Sequence, residues 1–290
     1  MRRIIALLIM SIILMVAALI WRLGPAPAAI APELDLRANR SPVVLLLGGS
    51  EGGRFAASDP IAQELRDAGF HVAPVAYFGA PGTPAKLDRI ALDPFDALVA
   101  KLSARPDVFE QCVFIAGASK GAELALLLAS GNDAVGAVSA VAPAHVVFQS
   151  PRVTPIPQSS WRRGRAPVAF VPFPLDLSTV RGVLSGNHFA EMYRRALENE
   201  EAVRLATIPV ERIAGPVQLI GAAQDEVWPS AMMAQAAAAR LEEQGFPHDI
   251  RVQIVDGGHY LLERAEIRGS VIEFLIGAAQ RAGCLPPVMR

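Results

Sequence analysis

Gly117-Ala118-Ser119-Lys120-Gly121 places a serine between glycines, after an apolar run and before the amphipathic, helix-forming AELALLLAS. Flanking glycines give a sharp strand-to-helix turn its backbone freedom, so the hydroxyl at the apex stands clear of its own sheet. The chemistry this allows is nucleophilic attack on a carbonyl. A serine hydroxyl is a weak nucleophile, so it needs a base within hydrogen-bond reach, and that base needs an acid to fix its tautomer and stabilise the imidazolium. His259 and Asp225 are the candidates for those roles. Glu226 is the more credible substitute for Asp225, because Asp256 is too near His259 in sequence to face its ring easily. His71 starts a strand pattern, and His145, His188 and His248 sit away from the end of the final strand pattern. The backbone N–H of Lys120 opens a helix and points to where a carbonyl oxygen would gain negative charge. A second G-x-S-x-G loop surrounds Ser50, within residues 48–53, but no helix follows it at once and only a tether precedes its strand. That loop is read as donor of a second N–H, from Ser50 or its neighbour Gly49, rather than as a rival nucleophile.

These residues need a framework. Residues 42–47, PVVLLL, form a wholly apolar run of the kind buried on both faces of a parallel sheet. A helix is expected over 57–69, a strand over 71–77, a helix over 94–104, the strand leading to Ser119, and another strand over 134–142. The pattern resumes with a strand over 215–222 ahead of Asp225, a helix over 230–244, a strand over 250–255 ahead of His259, and a helix over 263–281. Strands alternating with helices predict a mostly parallel, doubly wound α/β sheet, and ligands of such sheets bind beyond the carboxyl ends of the strands. Ser50, Ser119, Asp225 and His259 all fall there. Residues 145–213 break the rhythm, and an excursion this long predicts a lid or cap insertion, with an amphipathic helix near 189–199. Trp161, Phe170, Phe173 and Phe189 are candidates for lining an acyl pocket there.

With 290 residues the chain suits one sizeable domain. A net charge of −1 and the absence of basic runs argue against nucleic acid as a partner. Cys112 and Cys284 make neither a metal motif nor a disulfide framework, and Cys112 reads as a small buried apolar residue. Neither a metal nor a cofactor is expected, and the oligomeric state is not indicated. The uncharged run Ile4–Trp21 after Arg2-Arg3 has the length of a membrane-spanning helix, with the arginines on the cytoplasmic side and the body outside. The alternative is a cleaved signal, since Ala26-Pro27-Ala28 is a small-residue cleavage site. The expected division is an anchor or signal over 1–22, a proline- and alanine-rich tether with one short strand over 23–41, and the catalytic body over 42–282.

The order Ser119, Asp225, His259 is that of an α/β-hydrolase triad. The chain resembles the carboxy-terminal hydrolase domain of the acyl-CoA thioester hydrolase and bile acid-CoA:amino acid N-acyltransferase family. VVLLLGGSEGG, YFGAPGTPAKL, GASKGAELAL, SSW, IPVERIAGPVQLIGAAQDEVWPS and GGHY carry the resemblance through nearly the whole body. It implies acyl transfer by Ser119, Asp225 and His259, usually thioester hydrolysis. Conjugating members typically carry cysteine at the nucleophile position, so serine favours hydrolysis. Trp161, Trp228 and Tyr260, from the SSW, WPS and GGHY elements, are candidate substrate contacts. Where eukaryotic members carry a β-sandwich domain, this chain has the apolar run and tether. An exported enzyme meets little coenzyme A, so another ester or thioester is also an expected acyl donor. The competing readings are a general carboxylesterase or dienelactone-hydrolase-like esterase, an acyltransferase, and a non-catalytic binding protein on the same fold.

A reporter active only after export, fused behind residue 40 in a bacterial host, is expected to be active and membrane-bound. Release into the soluble fraction with a new amino terminus near Ala29 would indicate the cleaved signal. A silent export reporter beside a bright cytoplasmic one would refute export.

Overall fold

A strand that is apolar from Pro42 to Leu47 must be covered on both faces, and Ser41–Leu47 is buried throughout. The computed structural model describes residue 10 and residues 29–51, 55–151, 156–177, 179–180, 184 and 189–286. Apart from Met10, the run expected to span a membrane lies outside the described residues, as does the candidate cleavage site. Among the described residues no helix is long and apolar enough to cross a membrane.

The chain begins with β1 (Ala31–Pro32), β2 (Ser41–Leu47), α1 (Pro60–Asp67), β3 (His71–Ala76), β4 (Ile90–Ala91) and α2 (Asp93–Ser103). It continues through β5 (Val108–Ala118), α3 (Lys120–Ala129), β6 (Val135–Val141), β7 (Trp161–Arg163), β8 (Ala166–Pro167), α4 (Ala190–Leu197) and α5 (Glu200–Ala206). It closes with β9 (Val217–Ala222), α6 (Ser230–Glu243), β10 (Ile250–Val255) and α7 (Ala265–Arg281). The main sheet has the order β1-β3-β2-β5-β6-β9-β10, and every neighbouring pair is parallel except β1 on β3. Alternation along β2 explains the two-sided cover. Val43, Leu45 and Leu47 join one core with α2, α3 and α6, while Val44 and Leu46 join the other with α1 and α7. The chain leaves β2 toward β3 on one side and returns to β5 on the other, which opens a crevice at the carboxyl ends of β2 and β5.

The expected elements form, with their ends moved. Helix α1 starts at Pro60 rather than near Ala57, because Asp59 Oδ2 accepts the Ala56 N–H (2.7 Å) in a turn just ahead of a proline suited to the first helical position. The short strand expected in the tether is β1, and the Arg37 N–H donates to His71 Nδ1 (2.8 Å), so this stretch lies along the sheet edge. The insertion helix expected up to Asn199 ends at Leu197. The Asn199 side chain accepts the Ala202 N–H (3.1 Å) and starts α5 instead. The insertion strands β7 and β8 also form, with β4 from before α2, a small sheet that the sequence pattern does not reveal, β4 parallel to β7 and β8 antiparallel to it. The insertion's own core gathers Val146, Phe148, Val171, Phe173 and Tyr193 with Trp228.

One expectation is overturned. Cys112 is buried as expected, but it is paired, in a disulfide with Cys284 and a Cα–Cα distance of 6.5 Å. Spacing rules miss the pair because 172 residues separate its members. They meet because α7 lies over the sheet face that contains Cys112, and both cysteines belong to one core.

Closing so long a loop restricts the unfolded chain, so the Cys112→Ala/Cys284→Ala double variant is expected to lose about 2–5 kcal/mol of stability. Urea unfolding measures the loss. Unreduced native protein should be lighter by two hydrogens than the reduced form, and equal masses would refute the bridge.

Candidate active site

Ser119 sits between β5 and α3 with φ 55° and ψ −123°, a left-handed backbone that is costly for a residue with a side chain. The cost is met by close approach. A Cβ on Gly117 would lie 2.2 Å from Gly121 O, and one on Gly121 would lie 2.0 Å from Leu47 O. The Ser119 N–H donates to Val141 O (2.9 Å), which ties the turn to β6. The hydroxyl is thereby aimed into the crevice beside β2.

Asp225 follows β9 and His259 follows β10. His259 Nε2 lies 2.8 Å from Ser119 Oγ, and His259 Nδ1 lies 2.9 Å from each oxygen of Asp225. All three residues are buried. Asp225 Oδ1 accepts the N–H groups of Val227 (3.0 Å) and Trp228 (3.1 Å), and Oδ2 accepts the Ser230 hydroxyl (2.5 Å). Ser230 Oγ in turn accepts the Ala222 N–H (3.0 Å). These donors fix the direction of its oxygens. The alternatives lie elsewhere: Glu226 Oε2 is 2.7 Å from where a Cβ on Gly258 would sit, and Asp256 Oδ1 accepts Gln224 Nε2 (3.3 Å).

The serine opens on a cleft of about 460 Å³. Its apolar wall includes Phe55, Ile61, Val141, Leu261 and Leu262. Gly49 belongs to the lining, and a Cβ on it would lie 3.2 Å from Ser119 Cβ, so this backbone lies against the serine. Ser50 is exposed and outside the lining, which leaves Gly49 the better placed of the two loop residues. Among the described residues none from 145–213 lines the cleft. Of the proposed substrate contacts only Tyr260 does so, 51% exposed and with its ring 5.4 Å from that of His259. Trp228 instead backs the His259 ring at 6.0 Å and donates Nε1–H to Ala142 O (3.1 Å). Phe173 and Phe189 pack in the insertion core, and Phe170 against the main core.

Trp161 is fully buried and donates Nε1–H to Glu123 Oε1 (2.7 Å). It belongs to a charge cluster under the turn. Lys120 Nζ bonds both Glu123 oxygens (2.8 and 2.9 Å) and donates to Phe148 O (3.3 Å), which also accepts the Ser160 hydroxyl (3.1 Å). The two charged side chains are 2% and 0% exposed. Burial pushes the Lys120 ammonium down and the Glu123 carboxyl up, and each charge opposes the other's shift. The Lys120 side chain therefore points into the protein while its backbone N–H, in the first turn of α3, is not used by the helix. Among the described residues no group of three or more metal-ligating side chains converges.

Residues 90–263, more than half of the chain, match the family described as BAAT / acyl-CoA thioester hydrolase C terminal. The chain belongs to this family. A peroxisomal succinyl-coenzyme A thioesterase of Mus musculus is 25% identical over 199 residues, which are 67% of this chain and 43% of that protein. The chain thus spans less than half the length of that relative. Solved structures share the α/β-hydrolase fold at low identity. A 2,6-dihydroxy-pseudo-oxynicotine hydrolase matches with TM-score 0.53 and 18% identity over 90% of this chain and 67% of its own. A monoacylglycerol lipase of Paleococcus ferrophilus gives 0.54 and 18% over 86% and 99%. An acylaminoacyl peptidase of Pyrococcus horikoshii gives 0.59 and 14% over 90% and 41%.

The motifs now have physical content. In SKGAE the lysine and glutamate are the buried pair, and in SSW the tryptophan completes it. In WPS the tryptophan backs the histidine and the serine holds the aspartate. Ser230 and Glu123 are missed by a search for reactive groups. Their signal is their place inside these short motifs.

Glu123→Gln leaves the Lys120 ammonium buried without its counter-charge, and a loss of about 3–5 kcal/mol is expected at pH 7. The folded variant then holds its lysine proton more weakly than the unfolded chain. Its stability should therefore climb with pH toward the ordinary lysine range of about 10.5, by at most about 1.4 kcal/mol per pH unit. Denaturant midpoints at pH 7, 8 and 9 check both sign and slope against the parent protein.

Proposed function

We propose that this protein is a serine hydrolase that cleaves acyl thioesters or related esters through an acyl-enzyme intermediate. The observation that carries the reading is the continuous chain Ser119 Oγ, His259 Nε2, His259 Nδ1 and Asp225, with 2.8 and 2.9 Å links at the edge of an open cleft. In this reading His259 takes the Ser119 proton as the oxygen attacks the acyl carbonyl, and Asp225 stabilises the imidazolium. The N–H groups of Lys120 and Gly49 receive the developing oxyanion. His259 then returns the proton to the departing thiol or alcohol, and water, deprotonated by the same imidazole, releases the acid. Membership of a family described by acyl-CoA thioester hydrolysis supports the thioester, and so does the thioesterase activity named for the mouse relative.

A general carboxylesterase is the second reading, favoured by the apolar wall of the cleft, which suits many acyl chains. Export by the amino-terminal run belongs to the same proposal. The Cys112–Cys284 bridge supports it, because structural disulfides persist in oxidising compartments.

Ser119→Ala is expected to abolish labelling by a fluorophosphonate probe and to cut kcat by at least about 10⁴-fold, while Ser50→Ala keeps its labelling. The reverse pattern would transfer the nucleophile to Ser50. Comparing thioester and oxyester with one acyl group separates the two enzyme readings.

A further inference from the structure

Tyr77, the first residue of YFGAPGTPAKL, follows β3, is fully buried and is not part of the cleft lining. Its ring packs edge-on against Phe95 (6.1 Å between centroids) and tilted against Trp161 (5.8 Å), which fixes where its hydroxyl can reach. That hydroxyl donates to Gly48 O (2.5 Å). Burial first, and then the charges of Glu123 and Glu51, hold the phenol well above its usual range, so the proton this bond needs stays in place. A peptide is planar, and in the trans form its carbonyl and its N–H leave opposite edges. Among the described residues no peptide is cis, so the one joining Gly48 to Gly49 is trans. Because Gly48 O points to the core that holds Tyr77, the Gly49 N–H points the other way, and both glycines line the cleft. No side chain fixes this peptide from within, since a glycine on each side of it leaves the backbone free to turn over.

We infer that Tyr77 is a positioning residue for acyl transfer: by holding Gly48 O in the core, its hydroxyl aims the Gly49 N–H at the place where the oxyanion forms. The inference rests on the hydrolase reading and goes beyond it. Tyr77 touches no reacting atom, so its effect reaches the reaction through this one peptide. A donor aimed at the oxyanion bonds more strongly in the transition state than in the ground state, so its loss falls on kcat rather than on KM.

Tyr77→Phe keeps the ring and removes only the hydroxyl. Deleting an oxyanion donor outright costs about 10²–10³-fold in kcat, so freeing one to rotate is expected to lower kcat by about 10-fold or more, with KM within about 2-fold of the parent. Butyryl-coenzyme A and p-nitrophenyl butyrate serve as substrates. An alkyl trifluoromethyl ketone gives a second readout. Ser119 Oγ adds to its carbonyl carbon, the hydroxyl proton passes to His259, and the carbonyl electron pair moves to oxygen as an oxyanion. This adduct should form more weakly in the variant, by a factor similar to the fall in kcat. In the parent protein, the NMR signal of the Gly49 amide proton should move downfield when the ketone binds. A variant with parental kcat overturns the inference, and so does one that changes KM alone. A Gly49 amide that the ketone leaves unmoved also overturns it, whether or not the variant folds. In each of these cases an active parent labelled at Ser119 leaves the hydrolase reading standing. If the parent turns over neither substrate and Ser119 takes no fluorophosphonate label, the hydrolase reading itself has failed, and the inference falls with it.

Discussion

Three stretches of backbone meet around Ser119 with no room for a side chain between them, and this contact organises the site. The end of β2, the turn and the first residues of α3 touch where Gly121 faces Leu47 O and Gly117 faces Gly121 O. The contact holds the serine at positive φ, and it brings the Gly48–Gly49 loop against the new helix. The same glycines therefore bring the Gly48–Gly49 backbone close beside the serine. A larger residue at either position would push loop and helix apart.

Beneath that turn lies a second constraint of a different kind. Lys120 and Glu123, three residues apart on α3, are buried together and bound to Trp161 and the Phe148 backbone in the insertion. A buried ion pair is poor evidence for net stability, because desolvation offsets much of the attraction. The insertion meets those charges with its Trp161 indole N–H and its Phe148 carbonyl, which ties it to α3 at that place. On the other flank, Trp228 and Ser230 perform a parallel task for His259 and Asp225, one by packing and one by hydrogen bonding.

Much of this was legible in the sequence, for physical reasons. Two-sided burial forces continuous apolar runs, so PVVLLL and its counterparts read directly as strands. A hydroxyl, a carboxylate and an imidazole placed just after three of the main-sheet strands read directly as a set. The small sheet was harder to read, since β4 and the insertion strands β7 and β8 are two or three residues long and no periodicity survives over so short a span. Aromatic type alone misplaced Trp161, whose surroundings are fixed by Glu123, a partner 38 positions away. The cysteine pair was invisible for the same reason, since only the packing of α7 on the sheet brings its members together.

That pair also changes what the covalent chain is. Ser119, Asp225 and His259 all lie between Cys112 and Cys284, so the three residues occupy one covalently closed ring, and the chain before Cys112 joins it at one end only. A protease that cuts once anywhere in the ring leaves every fragment attached. The molecule would migrate as a single species until a thiol opens the bridge, so in an oxidising environment a nick in the insertion need not separate Ser119 from His259.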